Sequence, residues 1–165
     1  HRFHKECKVV IHSRDKDCAQ LLKLPNVSIC HPNNKYLRNS ADCFEQYGVK
    51  PNQIVDYLTL LGDTADNIAG VPGIGEVKAR QILGEYGSIE KFLSVPAEIK
   101  RFKALRENSL PMAIPVMQRL IKLNHRAPKL PRSLDRLKRR LPSKEDIKML
   151  ESIKRKYRFS SLFGV

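Results

Sequence analysis

The stretch Leu61-Gly62-Asp63-Thr64-Ala65-Asp66-Asn67-Ile68-Ala69-Gly70-Val71-Pro72-Gly73-Ile74-Gly75 decides how the rest of the chain is read. It sets two carboxylates and four glycines in one short, turn-rich run. Upstream, Ile54, Tyr57, Leu58 and Leu61 recur at the spacing of one helical face. Downstream, Val77, Ile82, Leu83 and Tyr86 fall on a stripe of a second helix that Gly87 is suited to end in a left-handed cap. The run therefore reads as helix, glycine-rich hairpin, helix.

Gly73 and Gly75 carry no Cβ and accept positive φ, so the backbone between the helices can bend sharply and approach a partner closely. The helix after Gly75 would present free N–H groups and the positive end of its dipole, which suits a phosphate. Lys78 and Arg80 stand near its first turn. An ordinary interhelical turn is the competing reading. Asp63 and Asp66, three apart, are placed on the closing turn of the first helix and so on one face. Two adjacent carboxylates raise each other's pKa unless a cation neutralises them, and a hard divalent ion such as Mg2+ does so. An aspartate cap beside a solvated neighbour is the alternative.

Outward toward the N-terminus, Cys7 to Ile11 is a short apolar run bounded by charge and reads as a buried strand. Asp15 and Asp17 follow at its carboxyl end, where ligand sites of open α/β sheets lie. With the backbone extended, both project to one side and can share a metal cluster. A helix cap at Asp15 or Asp17, opening Cys18 to Leu22, competes with that reading. Val27 to Cys30 is a second strand candidate, His31 to Asn34 a turn, and Asn39 to Asp42 open a helix that runs through Tyr47 to Gly48. The histidines His4, His12, His31 and His125 have no spacing typical of a metal cage.

Outward toward the C-terminus, Ser88 caps a short helix over Ile89 to Leu93. Glu98 to Asn108 and Val116 to Leu123 are helical, with Pro115 in the first turn of the latter. Residues 124–143 form an exposed segment whose densest basic cluster is Arg136, Lys138, Arg139 and Arg140. Ser143 caps a helix with Ile147, Leu150 and Ile153 on one face, and Phe159, Leu162 and Phe163 anchor the tail.

The 165 residues suffice for one domain with a core, and no run approaches the ~20 apolar residues of a membrane span. The four cysteines fit neither a paired zinc site nor a small disulfide scaffold, and are expected to be buried reduced thiols of an intracellular protein. Whether that means bacterial cytoplasm or an organelle is open. His1 in place of Met fits a processed product or a fragment. Residues 1–95 hold 12 Lys and Arg against 11 Asp and Glu, whereas residues 96–165 hold 19 against 6. A nearly neutral, acid-bearing front is thus joined to a strongly basic back, for which nucleic acid is the simplest partner. Acidic lipid, an RNA-rich assembly or a merely solvated basic face are the other readings.

Leu61 to Ile68 followed by Gly70 to Gly75 resembles the signature of the 5′ nuclease superfamily, which includes the 5′-3′ exonuclease domain of bacterial-type DNA polymerase I and the flap endonucleases. Val9 to Leu22, a strand followed by Asp15-Lys16-Asp17 and Gln20-Leu21, is similar to a second family motif in the same order. The resemblance implies an α/β, mostly helical fold: the C-terminal part of a parallel-sheet 5′ nuclease followed by a helix-hairpin-helix-like subdomain. Residues 1–48 would form the sheet edge, 49–95 the duplex-binding subdomain, and 96–165 a basic helical region. It implies hydrolysis of DNA phosphodiesters by two Mg2+ or Mn2+ ions, with Asp15 and Asp17 at one and Asp63 and Asp66 at the other. Gly70, Gly73, Gly75, Lys78 and Arg80 would contact DNA, and the carbonyls of Ala69, Val71 and Gly73 would hold a K+ ion. The substrate would combine duplex and 5′ single-stranded parts, with RNA an alternative to DNA, in replication or repair.

Departures accompany the likeness. The family's earlier strand and helix, with further acids, a basic residue for the scissile phosphate and the arch for a free 5′ end, are not in this chain. An N-terminal nuclease half or a polymerase domain would complete it, or it serves only as a noncatalytic nucleic-acid-binding module. Arg14 and Ala69 also stand where the family has a small residue and a proline.

Overall fold

The computed structural model describes residues 5–32, 36–96, 109–124, 133–138 and 140–157. Two compact units divide the chain, His1–Ala127 and Pro128–Val165.

The first unit is built on a three-stranded sheet in the order β1-β2-β3. β1 (Val9–His12) pairs parallel with β2 (Val27–Cys30), Val9 opposite Val27 and His12 opposite Cys30. β3 (Tyr36–Leu37) pairs antiparallel on the other side. Central position explains why all four residues of β2 are buried while β1 alternates. The sequence shows two strands, and the third is two residues long, too short for a period to show. It covers β2 and makes the small sheet viable.

A 3-10 helix, Lys16–Lys23, turns the chain from β1 to β2. Asp15 caps it, accepting the Asp17 N–H at 2.8 Å. Asp15 itself is extended (φ −68°, ψ 121°), but Lys16 and Asp17 already belong to the 3-10 helix, so the backbone does not stay extended from Asp15 to Asp17. α1 (Ser40–Tyr47) starts at Asn39, whose Oδ1 accepts from Ala41 and Asp42, and stops at Gly48 with φ 71°.

A short 3-10 turn, Pro51–Gln53, feeds α2 (Ile54–Leu61), the most buried helix, with Ile54, Tyr57, Leu58, Thr59 and Leu60 inside. α3 (Glu76–Tyr86) ends at Gly87, φ 80°, and buries Ala79, Ile82 and Leu83. Val77 was expected on that face but is 68% exposed, since one hundred degrees per residue carries it round to solvent. α4 (Ile89–Leu93) begins at Ser88, whose hydroxyl accepts from Lys91.

α5 (Ser109–Ile121) starts earlier than its apolar pattern implies, with Pro115 inside it rather than in its first turn. Pro115 gives no N–H to the carbonyl four residues back, but Ile114, Met117 and Ile121 are buried, and that packing holds the helix together. Two polar ties fasten it. Gln20 donates to the Ile121 carbonyl at 2.9 Å and accepts from Leu123, and Gln118 donates to Asp56 at 2.7 Å. All four cysteines are free thiols, with Cys30 and Cys43 buried.

In the second unit, α6 (Lys144–Tyr157) has a reciprocal cap: Asp146 N–H donates to Ser143 Oγ and Ser143 N–H to Asp146 Oδ2. Lys138 pairs with Asp135 and Arg140 with Asp146, so two members of the basic cluster are neutralised locally. The expected helix over 98–108, the anchoring tail, His4 and His125 lie outside the described residues. No described helix is long and apolar enough to cross a membrane.

Candidate metal and nucleic-acid site

Asp63 and Asp66 do not lie on a helix. α2 ends at Leu61, and residues 63–68 form a closed hairpin in which Asp63 N–H donates to Ile68 O at 2.9 Å and Ile68 N–H to Asp63 O at 2.8 Å. Gly62 and Gly70 make this closure possible. Both have positive φ, 85° and 69°, and a Cβ on Gly62 would stand 2.7 Å from Ile68 O, one on Gly70 2.5 Å from Gly62 N. Two strands of backbone thus pass in contact where any side chain would separate them. Val71 N–H to Leu60 O, 2.8 Å, fastens the exit.

This hairpin brings Asp66 to the acids that follow β1. Carboxylate oxygens of Asp15, Asp17 and Asp66 lie within 4.8 Å of one another, the only such group of three or more His, Cys, Asp or Glu side chains among the described residues. The expected grouping was Asp15 with Asp17 and Asp63 with Asp66. Instead Asp66 joins the first pair, and Asp63, 5% exposed, is held by the Lys16 ammonium at 3.0 Å and by Ala65 N–H.

Electrostatics follow from this. Burial pushes the Asp17 carboxyl up, Asp15, Asp66 and Asp63 push it further, Lys16 offsets part, and the result is about 7. Burial also opposes the Asp63 charge, yet the Lys16 ammonium and the Ala65 N–H outweigh it and hold its pKa below the usual range. Three carboxylates this close together, one of them with its pKa raised, form a site whose charge a bound cation would offset. The oxygen-only donor set, three carboxylates of which Asp15 and Asp66 are exposed to solvent, fits a hard divalent ion such as Mg2+ or Mn2+ better than a sulfur- or imidazole-seeking one.

The glycine-rich turn behaves in part as expected. Gly73 has φ 82°, and a Cβ there would meet nothing within 4 Å. Gly75 instead has φ −97°, because it is the extended N-cap of α3, and it too stands in open space. Gly75, the N-cap of α3, has no side chain to cap its first-turn N–H groups. Lys78 donates to the Gly73 carbonyl at 2.9 Å. Arg80 packs across Gly48, donating to Tyr47 O at 2.8 Å and to Glu76 at 2.9 Å, so it fastens α3 to the end of α1. Val71 O accepts from Ile74 N–H. Sequence reasoning missed two parts of the site: Lys16 as the partner of Asp63, and the paired role of Gly62 and Gly70. The positive charge between two acids was the available signal for Lys16, but its partner lies 47 residues away.

A family model described as "5′-3′ exonuclease, C-terminal SAM fold" matches residues 49–153. A 5′-3′ exonuclease of Aquifex aeolicus is 32% identical over 163 residues, covering 95% of this chain and 56% of that protein. A thermostable DNA polymerase I of Thermus thermophilus is 37% identical over 141 residues, 86% of this chain and 16% of the polymerase. The chain spans about half the length of the exonucleases it matches. Among solved structures, a T5 5′-exonuclease with bound zinc ions superimposes with a TM-score of 0.57 at 25% identity, over 68% of this chain and 43% of that one. A T5 flap endonuclease in complex with DNA and metal ions shares the fold, with a TM-score of 0.57 at 24% identity over 72% of this chain and 43% of that one.

Proposed function

The chain belongs to the 5′-3′ exonuclease family, and from that premise we propose that it is the metal- and duplex-binding part of a nuclease that hydrolyses DNA phosphodiesters. The observation that carries this reading is the convergence of Asp15, Asp17 and Asp66 at the ends of β1 and of the α2 loop. These three would hold a Mg2+ or Mn2+ ion, and Asp63 would join a second ion's ligands once Lys16 lets go of it. Divalent ions bound there supply an acidified water and charge for the leaving oxygen. The chain's own residues position the substrate. Gly73 and Gly75, which stand in open space, keep side chains out of the way of a sugar-phosphate strand, Gly70 holds the loop that presents them, and the first-turn N–H groups of α3 offer donors to a phosphate. Lys78 adds positive charge at the same turn. Carbonyls of Ala69, Val71 and Gly73 would take a K+ ion, where the Lys78 ammonium already rests on Gly73 O.

The substrate is DNA with a duplex and a 5′ single-stranded part, in replication or repair. Free thiols suit a reducing, intracellular compartment. Further carboxylates and the passage for a 5′ end would come from an N-terminal nuclease half, alone or fused to a polymerase. The test is cleavage of a 5′-flapped duplex, and of its RNA-flap counterpart, by the completed protein in Mg2+, repeated with Asp17→Ala and Asp66→Ala. Cleavage by the parent and loss of at least ~100-fold in each variant is expected. A parent that binds the duplex but never cuts it would leave the noncatalytic binding module in its place.

A further inference from the structure

Away from the acidic cluster, an open groove of about 520 Å³ runs between the 3-10 helix Lys16–Lys23, the start of α2 and the last turns of α5. Three cations line it: Lys23 from the 3-10 helix, and Arg119 and Lys122, three apart on the end of α5 and the residue after it. All three are exposed, and none is bonded to an acid among the described residues. The one carboxylate in the groove, Asp56, is occupied by the Ile89 N–H and by Gln118. Its positive charge is therefore in excess. The same 3-10 helix begins at Asp15, the cap that belongs to the acidic cluster. At ~2 Å per residue, Lys23 lies about 14 Å along that helix from its start.

We propose that this groove seats the sugar-phosphate backbone of the nucleic-acid substrate, as a second duplex contact distinct from the glycine-rich turn. The proposal rests on the nuclease reading above. Chemistry favours phosphate over an acidic peptide. The groove is rimmed by cations and carries amides from Asn52 and Gln118, and no aromatic, leucine or isoleucine side chain lines it among the described residues, so it offers little to fix the side-chain register of a peptide, whereas a phosphate backbone needs only the cations and amides.

The experiment compares this chain with the triple variant Lys23→Gln/Arg119→Gln/Lys122→Gln and with a control of equal charge loss, Lys5→Gln/Lys8→Gln/Lys91→Gln. Affinity for a 5′-flapped duplex is read by fluorescence anisotropy in Ca2+, from about 50 to about 200 mM salt. The groove variant is expected to lose about tenfold or more in affinity at the higher salt, and its slope of log K against log salt to fall by about 2 to 3, with Mn2+ binding at the aspartates unchanged. The control should lose less than about threefold. The single variants Lys23→Gln and Lys122→Gln should each show about one third of the slope change. Equal losses in groove variant and control overturn the groove and leave the nuclease reading standing. A parent that binds no duplex at all overturns both. Unchanged duplex affinity with lost binding to polyglutamate overturns the proposal in favour of an acidic protein partner.

Discussion

The Lys16 ammonium lies 3.0 Å from Oδ2 of Asp63, a carboxylate that is only 5% exposed, and so joins the motif after β1 to the loop after α2. Lys16 is itself half exposed, so the pair is not a sealed ion pair. Its weight comes from the Asp63 side, where removing the partner leaves a buried carboxylate with only the Ala65 N–H. In the absence of metal, Lys16→Met is expected to destabilise the chain by about 1 to 2 kcal/mol. Mn2+ should recover more stability in the variant than in the parent, since the ion no longer competes with an ammonium for Asp63. Thermal melts in EDTA and in Mn2+ check both statements. A variant that melts with the parent in EDTA would show that Lys16 is a bystander.

Asp17 gives the chain a stability profile in pH. Its folded pKa, about 7, lies above the unfolded value of 3.8, so between the two the folded state keeps a proton that the unfolded state has lost. Metal-free stability is therefore expected to fall as pH rises from about 4 to about 7, and then to level off. Asp17→Asn should flatten that slope and raise metal-free stability at neutral pH by roughly 2 kcal/mol. Denaturant titrations at pH 4, 5.5 and 7, in EDTA, measure it. Saturating Mn2+ should reverse the order, stabilising the parent by about 3 kcal/mol at one hundred times Kd and the variant by much less.

Gly70→Ala and Gly73→Ala separate two uses of glycine. At Gly70 the methyl would stand 2.5 Å from the Gly62 nitrogen, with backbone that cannot yield, whereas at Gly73 it meets nothing. Both carry the strain of positive φ, roughly 1 kcal/mol or a little more. Urea unfolding should show Gly70→Ala down by about 3 kcal/mol or more, with the acidic cluster's metal affinity falling alongside. Gly73→Ala should lose only about 1 kcal/mol and act instead on duplex binding.

Gln20→Ala removes two bonds that tie the 3-10 helix to the end of α5, one of them fully buried at 2.9 Å. A loss of about 2 kcal/mol in urea unfolding is expected, with the sheet spectrum unchanged.

Much of this architecture was legible in the chain itself because its signals are local. Asn39, Gly48, Ser88 and Gly87 mark helix ends through bonds that span only a few residues, and each serves as a cap where it was expected. Asp15, Asp17, Asp63 and Asp66 could be singled out as candidates by type and spacing for the same reason. What was not legible depends on distant partners. Asp63 bonds to Lys16, so the acids regroup as Asp15, Asp17 and Asp66. Proline is enriched in the first turn of helices, and at Pro115 the burial of Ile114 and Met117 overrides that preference. Gly62 and Gly70 looked like turn residues, whereas they are needed because two backbone segments touch.

Manganese diffusion into crystals of this chain, with anomalous density located at the manganese edge, tests the central relationship most directly. The expected result is a peak bounded by carboxylate oxygens of Asp15, Asp17 and Asp66, at about 2.2 Å from each direct ligand. Density that avoids these three side chains while occupying some other part of the surface would contradict it.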